Sequence, residues 1–215
     1  MYNMEKQNFI KKLSPEEQFE ILNFICDKFS IDDQEKYTLF YNSMIEYIKT
    51  VRREIESFKK NVDEIIGTFS KLGYDNSQII EILTKEPSLL HADKDALFWR
   101  MLVLGKVYDS KTNSCVRNDY VVMNPRILRT SHEVMYARIK YLESDEGRAK
   151  LRKTGFFTIR QIIKNTNEEF RYSYDVDKNT LLRLYPFDNV AQLDIVSWPE
   201  NKQLLENIYN SGRKI

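Results

Sequence analysis

The sequence predicts an all-α fold, a short solenoid-like array of helical repeats behind an N-terminal helical region, and three observations predict it. The first is an internal repeat: EPSLLHADKDALFWRM, from Glu86 to Met101, lies over NPRILRTSHEVMYARI, from Asn124 to Ile139, without a gap at a period of 38 residues. Pro87 aligns with Pro125, Leu89 with Ile127, Leu90 with Leu128, Leu97 with Met135, Phe98 with Tyr136, Arg100 with Arg138 and Met101 with Ile139. A repeat of that length is one helix pair, which cannot bury its apolar face alone and stacks on a neighbour. The second is a heptad series: Tyr41, Ile48, Ile55, Val62 and Phe69 recur every seven residues, interleaved with Met44, Val51, Phe58, Ile65 and Leu72. Every position is apolar, as in a helix that seals one stripe. The third is composition, 6 glycines and 5 prolines in 215 residues against 13% aromatics, which favours helices over disorder or a β-sandwich.

Taken in order, MYNMEKQNFIKKL lacks an apolar signal core and carries Glu5, so it reads as neither a secretory signal nor a clean mitochondrial presequence. Either a presequence has been removed or the protein works in a bacterial-type cytoplasm, and the abundance of Lys, Asn, Ile and Tyr favours the second expectation. Ser14-Pro15-Glu16-Glu17 is a helix start, with serine as cap, proline in the first turn and glutamate at the third helical position. Phe19, Ile21, Leu22, Ile25, Cys26 and Phe29 give that helix its apolar face, and Ser30 to Asp33 offers the next cap. The heptad stripe follows. Unbroken, Asp33 to Leu72 would span ~60 Å. Asn61-Val62-Asp63-Glu64 has the capping-box spacing and is expected to split the run after Lys60. Tyr41, Phe58 and Phe69 are bulky for a two-stranded seam, so the stripe is expected to pack within a monomer, with a coiled-coil dimer as the alternative. The chain then divides into an N-terminal helical region (1–60), the repeats (61–172) and a degenerate repeat or cap (173–215).

Each repeat copy has the same local grammar. The proline disfavours helix at the residue before it, Glu86 or Asn124. An apolar pair comes next, then a capping residue (Asp93; Thr130 or Ser131), then an amphipathic run ending near an arginine. Thr130-Ser131-His132-Glu133 fits a capping box.

The proline-led pattern resembles the repeats of the mitochondrial transcription termination factor (mTERF) family, over about residues 61–142. KLGYDNSQIIEILTKEPSLL, from Lys71 to Leu90, is the most similar stretch, with Gly73 turning the chain and Ile79, Ile80, Ile82 and Leu83 forming the next apolar face. TGFFTIRQIIKNTNEEF, from Thr154 to Phe170, resembles the same segment without its proline, a degenerate copy reaching to about 185. The resemblance implies a right-handed, curved solenoid that binds DNA or RNA.

Charge is nearly balanced overall but unevenly placed. Residues 1–95 hold 13 basic against 18 acidic side chains, residues 96–172 hold 15 against 8, and residues 173–215 hold 5 against 6. A basic middle suits an anionic partner. SDEGRAKLRKTG, from Ser144 to Gly155, concentrates Arg148, Lys150, Arg152 and Lys153, and Arg126, Arg129, Arg160 and Lys164 extend it as candidate phosphate contacts. Arg171-Tyr172-Ser173-Tyr174 interleaves a cation with two aromatics, better read as tyrosines roofing a core than as a base-stacking platform.

Other chemistries find no motif. Cys26 and Cys115 lack metal-ligand spacing and are read as buried reduced thiols, His91 and His132 as helix-start residues rather than ligands. No glycine-rich phosphate loop, nucleophile elbow or ligand cluster points to an enzyme or a cofactor, and no apolar run is long enough to span a bilayer. The reading is a non-catalytic, regulatory nucleic-acid-binding protein, the alternative a protein-interaction module or inhibitor that docks on another macromolecule.

Overall fold

The computed structural model describes residues 12–29, 31, 33–105, 108–109, 114–115, 117–153 and 166–188, of which 105–119 and 151–153 are described by backbone alone. Over these residues the fold is all-α apart from one two-residue ladder. Helix α1 (Pro15–Cys26) begins with the predicted capping box, Ser14 Oγ accepting from the Glu17 amide at 3.3 Å and the Glu17 carboxylate accepting from the Ser14 amide at 2.6 Å. Asp33 caps α2 (Gln34–Ile48) through the Glu35 and Lys36 amides. Helix α3 (Ile55–Lys71) turns at Gly73, whose φ of 89° suits glycine, into α4 (Asn76–Lys85), capped reciprocally by Asp75 and Gln78.

A 3-10 turn at Pro87–His91 leads to α5 (Lys94–Gly105), then Tyr108–Asp109 (β1) pairs antiparallel with Ser114–Cys115 (β2). Helix α6 (Arg117–Met123), a second 3-10 turn (Pro125–Arg129), α7 (His132–Glu143) and α8 (Asp145–Lys153) follow. Helices α9 (Asn167–Tyr174) and α10 (Lys178–Leu184) complete the described chain, and no helix in it is long and apolar enough to cross a membrane.

Successive odd-numbered helices pack side by side, α1 on α3, α3 on α5 and α5 on α7, with α10 closing on α7; the even-numbered helices make a second row, α2 on α4 and α4 on α6. The two proline turns share one conformation. Glu86 has φ −143° and ψ 69°, Asn124 has φ −137° and ψ 63°, and in each the following proline opens the turn. Leu90, Leu128, Leu97 and Met135 are all at 0% exposure, so the aligned residues are buried alike. Asn61 on α3 donates to the carbonyls of Leu90 (2.6 Å) and Ala92 (3.2 Å), which pins the first turn to α3, two helices back.

The heptad stripe is buried within the chain's own core: Met44, Ile48, Val51, Phe58, Val62, Ile65, Phe69 and Leu72 have 1% exposure or less, with Tyr41 and Ile55 packed beside them. Its helix is divided at Lys49 to Glu54, and not after Lys60 as the sequence suggested. Asn61 is no cap; it lies inside α3 with its amide spent on the turn. Thr50 Oγ1 donates back to the Tyr47 carbonyl at 2.6 Å where α2 ends, and Val51 remains in the core, so the apolar spacing runs through the break. The expected box at α7 is also absent: the Ser131 side chain caps no amide, and Glu133 pairs with His132 Nε2 at 3.2 Å.

A second core of Ala137, Tyr141, Leu142, Phe170, Tyr174 and Leu181 lies beyond the first. Phe187 reaches back from it, its ring 5.7, 5.4 and 5.2 Å from those of Trp99, His132 and Tyr136. At the α7–α8 joint a Cβ on Gly147 would meet the Tyr141 carbonyl oxygen at 1.9 Å, so only glycine permits this approach.

Candidate nucleic-acid interface

Arg126 and Arg129 are three residues apart in the second 3-10 turn, where i and i+3 eclipse. With Ile127 and Leu128 turned into the core, both arginines are left exposed on one side of the turn. Arg129 Nε is 3.6 Å from the Glu86 carboxylate, which is only 7% exposed and also accepts from Ser88 Oγ. A carboxylate taken out of water needs such partners, and here the partner joins the first proline turn to the second. The joint borders a groove of about 590 Å³ lined by Lys85, Glu86 and the stretch from Met123 to Ile127.

Lys85 is a cation of this rim that the sequence reading did not single out. Its ammonium donates to Glu81 at 2.6 Å and to the Val122 carbonyl at 3.0 Å. Only its place in the last turn before Pro87 could have signalled it, since a cation there complements the helix C-terminus.

The other predicted group stands on α8. Arg148 is exposed. Lys150 is engaged at the α8–α9 joint, 2.9 Å from Glu146 one helical turn before it and donating to the Tyr174 carbonyl at 2.6 Å. Arg152 and Lys153 belong to α8 by their backbone; their side chains, and Arg160 and Lys164 entirely, lie outside the described residues. The turn packs on α4, α5 and α6 and helix α8 on α7 and α9, so the two groups occupy separate elements.

Two further cations of the basic middle point inward. Arg100 on α5 donates through Nη1 to the Leu128 carbonyl at 2.7 Å. Arg138, its aligned partner on α7, is 1% exposed, donates to Asn167 Oδ1 at 2.9 Å and lies 4.9 Å over the Phe170 ring. Burial pushes its pKa down to about 10. The surface is therefore less basic than the count for residues 96–172 implies, because the repeat's arginines serve its packing. Of the two tyrosines, Tyr174 enters the second core at 1% exposure and Tyr172 stands out at 94%.

Both histidines have their pKa lowered by burial. His91 is hydrogen-bonded through Nδ1 to the Tyr47 hydroxyl and packs on Phe58, and His132 stacks on Trp99. Cys26 is a half-buried free thiol whose pKa burial raises, and among the described residues no three His, Cys, Asp or Glu side chains gather to hold a metal. No protein-family model, curated protein or solved structure matches the chain.

Proposed function

We propose that the chain is a non-catalytic, regulatory helical-repeat protein of mTERF-like type that binds nucleic acid in the cytoplasm through phosphate contacts. In this reading the two rows of helices are a short right-handed solenoid, with residues 1–60 as its N-terminal helical region, 61–172 as its repeats and 173–215 as a degenerate cap. The observation that carries it is the pair Arg126 and Arg129, set exposed on one side of a turn that opens on a groove. Planar guanidiniums so placed suit phosphate oxygens, and such contacts fix position without reading sequence. Arg148 is a further exposed contact, and Arg152, Lys153, Arg160 and Lys164 continue the basic stretch in sequence.

Fluorescence anisotropy with a DNA duplex, single-stranded DNA and RNA across a salt series tests the reading. Five phosphate contacts to duplex DNA give a slope of log K against log salt of about −4.5, hence a roughly 500-fold loss of affinity between about 50 and 200 mM. Failure of all three nucleic acids to bind at about 50 mM salt refutes it.

A further inference from the structure

A second groove, of about 210 Å³, lies between α2 and α4. Leu39 and Ile80 form its apolar wall, with Lys36 and Lys85 among its lining. Ser43 Oγ on α2 donates to the Thr84 carbonyl on α4 at 2.7 Å, so the two helices are tied where the groove needs them. Leu39 is 57% exposed although its neighbour Phe40 is wholly buried, which leaves a large apolar side chain beside a concave apolar wall. Lys85 lines both this groove and the one at the second proline turn, and its bond to the Val122 carbonyl brings α6 alongside. Next to Val122 is Met123, again an exposed apolar side chain, at 53%.

We propose that this face of the α2–α4–α6 row docks an acidic amphipathic helix of a protein partner, with one large apolar side chain entering the groove beside Leu39 and Ile80 and a second lying against Met123. Charge selects the acidic partner: Lys36 and Lys85 frame the groove against one lining carboxylate, Glu81, which pairs with Lys85 at 2.6 Å and leaves the groove one net positive charge, that of Lys36. Packed helices lie ~8–10 Å apart, so the groove and Met123 are about one and a half spacings, ~12–15 Å, from each other. At 1.5 Å and 100° per residue, a bound helix that reaches this far with both anchors on one apolar face places them about eight residues apart, ~12 Å. The groove offers nucleic acid no aromatic ring on which a base could stack. A second copy of the chain docked symmetrically would bring two grooves of the same net positive charge together. This surface uses none of the proposed phosphate contacts, but Met123 and Lys85 also line the groove at the second proline turn, so Leu39, which lies outside that groove, is the residue that separates the two sites.

The test is anisotropy of a labelled helical peptide of about eighteen residues, built from Glu, Ala and Gln with two leucines about eight residues apart so that both lie on one face, titrated with the full chain. Saturable binding is expected. Leu39→Asp and Met123→Asp should each weaken it about tenfold or more, the size of one lost anchor. Lys36→Glu should weaken it as well, and a peptide with Lys in place of Glu should bind at least tenfold more weakly. Circular dichroism should show both aspartate variants folded, because the replaced side chains are exposed. The proposal is overturned if the acidic peptide fails to bind, if Leu39→Asp binds it as the parent does, or if the lysine peptide binds equally. It is overturned too if sedimentation shows a dimer that Leu39→Asp dissolves, for then the occupant is a second copy, or if Leu39→Asp removes nucleic-acid binding instead.

Discussion

Arg100 donates through Nη1 to the carbonyl oxygen of Leu128 at 2.7 Å, and that carbonyl is the counterpart of the one on Leu90 that Asn61 holds at 2.6 Å. Two unlike side chains, each on the odd-numbered helix before its turn, satisfy the same backbone group. A carbonyl left unpaired inside a protein costs ~1–3 kcal/mol. Asn61→Ala and Arg100→Met should therefore each lose about that much stability in urea denaturation. A loss within about 0.5 kcal/mol for both would mean that the turns hold without these bonds.

Truncating Leu90 or Leu128, both at 0% exposure, should cost ~2–5 kcal/mol through lost burial and a residual cavity. Equal costs at the two sites would match their equal burial; a change below about 1 kcal/mol at either would contradict its place in the core.

Val51 and Phe58 are also at 0% exposure, on the stripe that packs within the chain. Val51→Asp or Phe58→Asp places an uncompensated charge there and should unfold the N-terminal helices. Circular dichroism with light scattering reads the outcome: a folded monomer obtained from a parental dimer would show that the stripe serves association instead.

Lys150 and the exposed arginines should respond in opposite ways. Arg126→Ala and Arg148→Ala should each make the salt slope of duplex DNA binding shallower by about 0.9 while leaving the melting temperature unchanged. Lys150→Met removes the shorter donor to the Tyr174 carbonyl, leaving it the Tyr141 hydroxyl at 3.5 Å, so it should lower the melting temperature. Its effect on the slope should be slight, and a full unit of change would place its ammonium on phosphate.

His91 and His132 have folded-state pKa values below the ordinary 6.5, burial being the largest cause in each. The unfolded chain then binds protons more readily, so the stability tied to these neutral rings is complete above pH 6.5 and lost as the pH falls through that value toward the folded pKa. At His132, Glu133 at 3.2 Å opposes the effect of burial without overcoming it. The melting temperature should fall between about pH 7.5 and 5.5, a window above the titration of Glu133, whose own pKa is also lowered. The double variant His91→Gln, His132→Gln should flatten that dependence, and an unchanged slope would assign the acid sensitivity elsewhere.

Much of the fold was legible because its signals are local. Ser14 and Glu17 cap each other over one turn, and a proline leaves its predecessor little choice of backbone, so Glu86 and Asn124 adopt one conformation. The break at Lys49 to Glu54 was hidden because neither Gly nor Pro marks it and buried Val51 keeps the heptad spacing across it. Asn61 carried a capping signature, but its amide serves a turn 29 residues away, which no local pattern encodes. At the candidate interface the charges were visible and their destinations were not. Lys150 and Arg148 look alike in the sequence, yet one is tied to Glu146 and a carbonyl while the other is exposed.

The three bonds from Asn61 to Leu90, Arg100 to Leu128 and Arg138 to Asn167 span 29, 28 and 29 residues. The entropy lost in closing a loop depends on the logarithm of its length, so each closure carries nearly the same penalty. Contacts of such even, moderate reach keep the search for partners short, and folding rates follow that reach. An emerging chain can thus complete the first proline turn as soon as Leu90 is free to meet Asn61, and then the second when Leu128 reaches Arg100. Assembly on the ribosome can proceed as accretion from the amino end, the Glu86 carboxylate of the first turn gaining its Arg129 partner when the second turn forms.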